Sequence, residues 1–248
     1  MMDLSTIDNA VLCEMFDREG YAVIRNVLSE DEVNQVRELT DAYMGDSEIA
    51  AKHVNRAGTS TVLREMARTD PFFAAQRERP DLLEIVRAVL GPEIAHCGHS
   101  ILKCEKGEGH NQWHIDDVLE HPRPKGTTWE AVGLPMPVLW LSMQLAISDI
   151  SSLVFGPTQV VPRSHFSGCL PPQDHMEPDD SDPPHYRGQG PVPILCNAGD
   201  AYLFNHQIWH RGLLNQSDRP RYLLQQQYCK AWLNGRFRWI SQSLSTES

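Results

Sequence analysis

Apolar and polar positions follow two different rhythms along this chain, and the change between them falls near residue 95. Before it, helical spacing dominates. The segment Glu19 to Leu28 reads as a short strand after a glycine break. Ser29 and Glu32 then form an S-x-x-E capping box, and Val33, Val36 and Leu39 recur at helical spacing behind it. A second helix is expected over Asp81 to Leu90, where Leu82, Ile85, Val86 and Val89 share a face and Gly91-Pro92 stops it. The polar stretch Gly45 to Thr69 between them is expected to be a mobile loop near a substrate entrance.

From Ala95 onward the apolar runs are short and punctuated by Gly and Pro: Ile101-Leu102, Val138 to Ile147, Val160-Val161, Ile194-Leu195, Ala201 to Phe204 and Tyr222 to Tyr228. This is the texture of β structure. Pro171 to Pro193 has no periodicity and is dense in Pro, Asp and Gly, so it is expected to be a surface excursion between two strands, its acidic part, Glu177 to Asp182, reading as a solvated loop with a lid over the site as the alternative. No repeat and no linker divides the chain. The expectation is one domain over 1–248, mainly β with flanking helices: helical N-terminal support over about 1–94 and a β core over about 95–232.

Composition narrows the function. Apolar residues make up 41% and charged residues 22% of 248, as in ordinary globular proteins. The net charge of −11 repels polyanions and argues against nucleic acid as a partner. No apolar run is long enough to span a bilayer, and the first residues lack the basic-then-apolar order of a secretory signal, so the cytoplasm is the expected location. Six scattered cysteines with no C-x-x-C pair are expected to be reduced thiols.

The candidate chemistry begins at Gln112-Trp113-His114-Ile115-Asp116-Asp117, where a histidine and an aspartate stand two apart. On extended backbone such residues point to one side and can reach one metal ion together. A second block, Ala198 to Gly212, carries a Gly-Asp turn into an apolar strand with His206 and His210 as candidate third ligands. Two imidazoles and one carboxylate leave open positions on a metal, which suits redox iron(II) better than a closed zinc site. Arg221, on the following apolar strand, offers a guanidinium that can grip a dicarboxylate.

These blocks resemble the phytanoyl-CoA dioxygenase-like branch of iron(II)/2-oxoglutarate oxygenases. The resemblance runs through Gly20 to Arg25, Trp113 to Asp116, Gly156 to His165 and His210 to Arg221. It implies a double-stranded β-helix (jelly-roll, cupin-like) core and Fe(II) held by His114, Asp116 and His210. It also implies 2-oxoglutarate anchored through its distal carboxylate by Arg221, eleven positions after His210, with Thr158 and Gln112 as further cosubstrate contacts. The reaction implied is oxidation of a C–H bond in a small-molecule substrate by dioxygen, with 2-oxoglutarate converted to succinate and CO2. Two departures, Phe155-Gly156 before Pro157-Thr158 and Arg163 before Ser164-His165, bear on loop geometry and not on the ligands. Asp116 is intact, which disfavours the halogenating variant of this chemistry.

Plainer roles are expected for the neighbours. His206 and His165 read as structural, Asp117 as a residue that orients His114 or is simply solvated, Asp200 as a turn residue, and Trp113, Trp140 and Trp209 as core or pocket walls. The expected substrate is a specialised metabolite, with acyl-CoA or carrier-bound amino acids as the alternative within the family. A zinc hydrolase and a catalytically silent jelly-roll binder are the rivals outside it. Nothing in the sequence fixes the oligomeric state.

Overall fold

The computed structural model describes residues 2–116, 127, 131, 137–172 and 181–233, and among them the strands form two sheets. The larger has eight: β1 (Met2–Asp3), β2 (Tyr21–Arg25), β3 (Val54–Ala57), β4 (Ser60–Arg64), β5 (Ile94–Cys104), β7 (Trp140–Ala146), β10 (Ala201–Asn205) and β12 (Arg221–Lys230). Their order is β1-β2-β10-β7-β12-β5-β4-β3. The smaller sheet contains β6 (His110–His114), β8 (Thr158–Val160), β9 (Val192–Pro193) and β11 (His210–Gly212), in the order β6-β11-β8-β9. Every pairing is antiparallel except β1 with β2. The two apposed sheets make a jelly-roll with few helices.

Those helices cover one face of the larger sheet. α1 (Asn9–Glu19) is capped by Asp8 and ends at Gly20. α2 (Glu30–Gly45) has the full capping box, with Ser29 Oγ accepting from Glu32 N–H and the Glu32 carboxylate accepting from Ser29 N–H. Its first turn carries Glu30, Asp31 and Glu32, the favourable sign for a helix N-terminus. α4 (Pro71–Arg77) and α5 (Pro80–Leu90) both begin on proline, where the missing N–H costs nothing. An eleven-residue helix such as α5 is marginal alone. Burial of Leu82, Ile85, Val86 and Leu90, at about 2 kcal/mol per side chain, holds it against the sheet.

Alternation along the strands separates two cores. Leu141, Met143, Leu145, Leu203, Leu224 and Tyr228 face the helices. Ala146, Tyr202, Phe204 and Leu223 face the smaller sheet and pack with its Val160. The second core is the one that borders the site.

The expected mobile loop at Gly45 to Thr69 is a different structure: helix α3 (Ser47–His53), capped by Asp46, followed by the β3–β4 hairpin that extends the larger sheet. The edge strand β3 exposes Asn55 and Arg56, and such polar edges blur the alternation that would announce a strand. The first 94 residues thus supply strands as well as helices. Within the excursion expected at Pro171 to Pro193, residues 173–180 lie outside the described residues, and Val192–Pro193 form β9.

Candidate metal centre

His114 closes β6 and His210 opens β11, and antiparallel register sets them directly opposite each other. Their rings lie 4.2 Å apart between centroids. Asp116 stands beyond the end of β6, where its backbone N–H donates to the His206 carbonyl at 3.0 Å. The carboxylate is therefore aimed by a bend anchored to the turn that follows β10, and not by strand alternation alone. One ligand-type atom from each of His114, Asp116 and His210 lies within 4.8 Å of the other two. Asp116 Oδ1 is 3.8 Å from His114 Nε2 and 3.6 Å from His210 Nε2.

The tautomers follow from hydrogen bonding. His114 Nδ1 is 2.8 Å from the Gln112 carbonyl, and His210 Nδ1 is 3.0 Å from the Ile208 carbonyl. A carbonyl only accepts, so Nδ1 carries the hydrogen in each ring and the Nε2 lone pairs face Asp116. Burial, with His210 alongside, pushes His114 down to about 4, so its imidazole is neutral near pH 7. Burial acts to raise Asp116, but the surrounding imidazoles, His210 foremost, hold it below its ordinary value. Asp116 Oδ2 is buried and makes no hydrogen bond. Two imidazole nitrogens and an under-partnered carboxylate are a donor set that fits a divalent transition metal and leaves one side open.

His206 does not join that set. Its Nε2 shares a hydrogen bond of 2.9 Å with Ser142 Oγ and lies 3.9 Å from Asp116 Oδ2, while Trp140 packs on its ring at 4.0 Å. It braces the carboxylate from behind. His110, which reads most simply from sequence as solvated or structural, stacks on His114 at 4.2 Å, as the alternation His110, Gln112, His114 allows.

The remaining candidates separate into two places. Arg221 is only 4% exposed; its Nη1 donates to the Leu213 carbonyl at 3.2 Å and its Nη2 to Cys104 Sγ at 2.8 Å, while Nε is buried without a hydrogen bond. Thr158 Oγ1 shares a hydrogen bond of 2.7 Å with the Tyr202 hydroxyl. Tyr202 is fully buried, bonds to Thr158 and feels the charge of Arg221, a contributor that its place in an apolar run concealed. Gln112 sits apart: it is exposed, on the same strand face as His114.

Other expectations are adjusted. Trp113 and Trp209 occupy alternate positions to the two histidines and pack on the outer side of the smaller sheet with Tyr186 and Val161. Of the three tryptophans only Trp140 borders the centre, through His206. Asp200 is more than a turn residue, because its buried carboxylate pairs with Arg25 and accepts from Asn26 and Asn197 N–H. His165 accepts the structural reading, with Nε2 at 3.0 Å from the Asp17 carbonyl. Asp117 lies outside the described residues. The described cysteines form no disulfide. Gly156, next to the departure at Phe155, adopts φ +67° where a Cβ would meet the Leu213 carbonyl oxygen at 2.7 Å. That close approach sets β8 against β11, with Thr158 opposite Gly212.

A family model described as phytanoyl-CoA dioxygenase (PhyH) matches residues 16–223. An uncharacterised protein of Mycobacterium tuberculosis is 26% identical over 226 residues, covering 89% of this chain and 75% of that protein. Among solved structures, SnoN, a non-heme alpha-ketoglutarate-dependent epimerase from nogalamycin biosynthesis, superposes with a TM-score of 0.70 at 17% identity, over 97% of this chain and 92% of its own. HygX from Streptomyces hygroscopicus, solved with nickel, 2-oxoglutarate and hygromycin B bound, superposes with a TM-score of 0.66 at 18% identity, over 88% of this chain and 86% of its own. At these identities the superpositions establish the shared jelly-roll fold. No helix among the described residues is long and apolar enough to cross a membrane.

Proposed function

We propose that this chain, which belongs to the phytanoyl-CoA dioxygenase family, uses His114, Asp116 and His210 to hold iron(II) and Arg221 to anchor 2-oxoglutarate while it oxidises a C–H bond of a small organic molecule. The observation that carries the reading is the convergence of two Nε2 lone pairs and one carboxylate within 4.8 Å, with both Nδ1 atoms already committed to carbonyls.

Iron bound there, with 2-oxoglutarate and dioxygen, supplies the oxidising chemistry and yields succinate and CO2. The chain's own residues do the placing. The Gln112 and Ile208 carbonyls fix both imidazole rings. His206 and Ser142 steady Asp116. The buried Arg221 guanidinium, with an unused Nε–H, is suited to a carboxylate brought in from water. Thr158 and Tyr202 pair their buried hydroxyls, Tyr202 within the field of Arg221, and Gln112 is exposed on the strand face shared with His114.

The chain is read as one oxygenase domain, working on a specialised metabolite in the cytoplasm. SnoN, from nogalamycin biosynthesis, and HygX, with hygromycin B bound, support that choice of substrate. The net charge of −11 supports a small-molecule partner over nucleic acid.

The test is anaerobic reconstitution with iron(II) and 2-oxoglutarate, followed by admission of oxygen. Succinate should form only when all three are present. Equal product formation without oxygen, or with zinc in place of iron, would contradict the proposal.

A further inference from the structure

We infer that the substrate is a polar molecule bearing several hydroxyl or amide groups, recognised by a row of carboxamides on the larger sheet across from the metal ligands. This rests on the oxygenase reading above.

The starting point is the central strand β12. Leu224, Gln226 and Tyr228 turn toward the helices, where Gln226 Nε2 donates to the Gln76 carbonyl and the Tyr228 hydroxyl to the Arg77 carbonyl. Leu223, Gln225 and Gln227 therefore face the smaller sheet. Leu223 joins the apolar core between the sheets. The next two positions do not: Gln225 and Gln227 are half-buried, although β12 lies deep within an eight-stranded sheet. The space between the sheets is thus accessible at this level.

Register extends the polar surface sideways. Gln225 lies beside Gln144 of β7 on one flank and Ser100 of β5 on the other, and Arg64 of β4 lies beyond Ser100. Neighbouring strands are about 4.8 Å apart, so these groups form a continuous row. Ser100 Oγ donates to Gln225 Oε1 at 2.8 Å. Gln227 lies in the next row, between Ser142 and Gly98. A Cβ at Gly98 would come within 2.3 Å of Gln227 Oε1, so the glycine gives the carboxamide room to lie across the strand.

The row adjoins the metal centre. Ser142, next to Gln227, bonds to His206, which lies against Asp116. Phe204, on the adjoining strand, packs on His210 at 4.7 Å.

The energetics select the ligand. Gln144 is 5% exposed and its Oε1 makes no hydrogen bond, a costly condition for a buried acceptor. A hydroxyl or amide N–H would remove that cost, whereas an acyl chain laid over Gln144, Gln225 and Gln227 would add to it. Carboxamides both donate and accept and carry no charge, which matches neutral groups that do the same.

The experiment uses the full chain. Ligand-observed NMR on the metal-free protein screens sugars, cyclitols and glycosides, small amides and peptides, and acyl-CoA thioesters; binders are then tried for stimulated succinate release by the iron-loaded protein. Polyols or amides should bind and stimulate, and the two arms distinguish them. Gln225→Leu and Gln227→Leu should each weaken binding at least about tenfold, from one lost buried hydrogen bond to a ligand. Gln225→Asn, which retains the group but withdraws it, should fall between, and unchanged melting temperatures confirm folding. Stimulation by acyl-CoA thioesters alone, binding from neither polar class, or wild-type affinity in folded leucine variants would overturn the inference. Polar ligands that bind through Gln225 to a protein that never forms succinate would instead overturn the oxygenase reading and leave the recognition row standing.

Discussion

Cys104 Sγ accepts a hydrogen bond from Arg221 Nη2 at 2.8 Å, and the same sulfur lies 3.0 Å from Ser60 Oγ. Register makes the pair direct neighbours across β5 and β12. The guanidinium is therefore oriented before any cosubstrate arrives. Arg221→Ala should raise the KM for 2-oxoglutarate by two to three orders of magnitude, from the loss of about 2–5 kcal/mol at a buried charged contact. Cys104→Ala, which removes only one orienting bond, should raise it about fivefold. Initial rates of succinate formation against 2-oxoglutarate concentration give both values, and an unchanged KM in Arg221→Ala would move the anchor elsewhere.

His114→Ala, Asp116→Ala and His210→Ala should each abolish succinate formation while leaving the far-ultraviolet circular dichroism unchanged. His206→Gln should behave differently. It removes a brace and not a ligand, so iron affinity should fall about 10–100-fold and activity should return at high iron. Titration of iron against activity distinguishes the two patterns; irrecoverable loss in His206→Gln alongside an active His210→Ala would exchange their roles.

Acid should destabilise the metal-free protein well before its carboxylates titrate. Burial pushes His96 and His206 down to about 3, and His99, His114 and His165 to about 4. In the unfolded chain these side chains take up protons near pH 6.5. The folded state binds fewer protons than the unfolded one across that interval, so stability is complete above about pH 6.5 and declines as the pH falls toward 4. Each histidine contributes a slope of about 1.4 kcal/mol per pH unit. His99, whose two ring nitrogens are buried without hydrogen bonds beside Phe73, is the cleanest probe. His99→Phe should reduce the acid slope by about one proton in denaturant titrations at successive pH values; an unaltered slope would show that His99 is not held neutral.

Much of this architecture was legible in the residue pattern. The capping box at Ser29 and Glu32, the apolar face of α5 and the runs at Ile101, Val138 to Ile147, Val160, Ala201 to Phe204 and Tyr222 to Tyr228 announced their elements, because local chemistry and tertiary packing agree there. Ile194-Leu195 instead follows a strand, Val192–Pro193, and does not form one. His114 and Asp116 are close in sequence, and His210 and Arg221 follow at a recognisable interval, so the candidate centre could be assembled from spacing and family resemblance. Other features depend on contacts that spacing does not encode. Helix α1 buries only Leu12 and Phe16, too few to define a stripe. Tyr202 reads as an ordinary member of an apolar run and Cys104 as one of six scattered thiols, yet folding brings one to Thr158 and the other to Arg221. The polar row around Gln225 emerges only from the pairing of β7, β12 and β5.

Gly156→Ala tests how the minor sheet is set. An added methyl group would meet the Leu213 carbonyl oxygen at 2.7 Å and Asn215 N at 2.8 Å, at a positive φ that side chains disfavour. Since both obstacles are backbone, a loss of about 2 kcal/mol or more is expected, read as a lowered melting temperature. A neutral substitution would show that the turn before Thr158 can relax.

The most direct measurement is anomalous diffraction at the iron edge from crystals grown anaerobically with iron(II) and 2-oxoglutarate. One peak is expected within bonding distance of His114 Nε2, His210 Nε2 and an Asp116 carboxylate oxygen, with the distal carboxylate of 2-oxoglutarate against the Arg221 guanidinium. A peak that excludes any of those three ligands, or a cosubstrate turned away from Arg221, would contradict the proposed function.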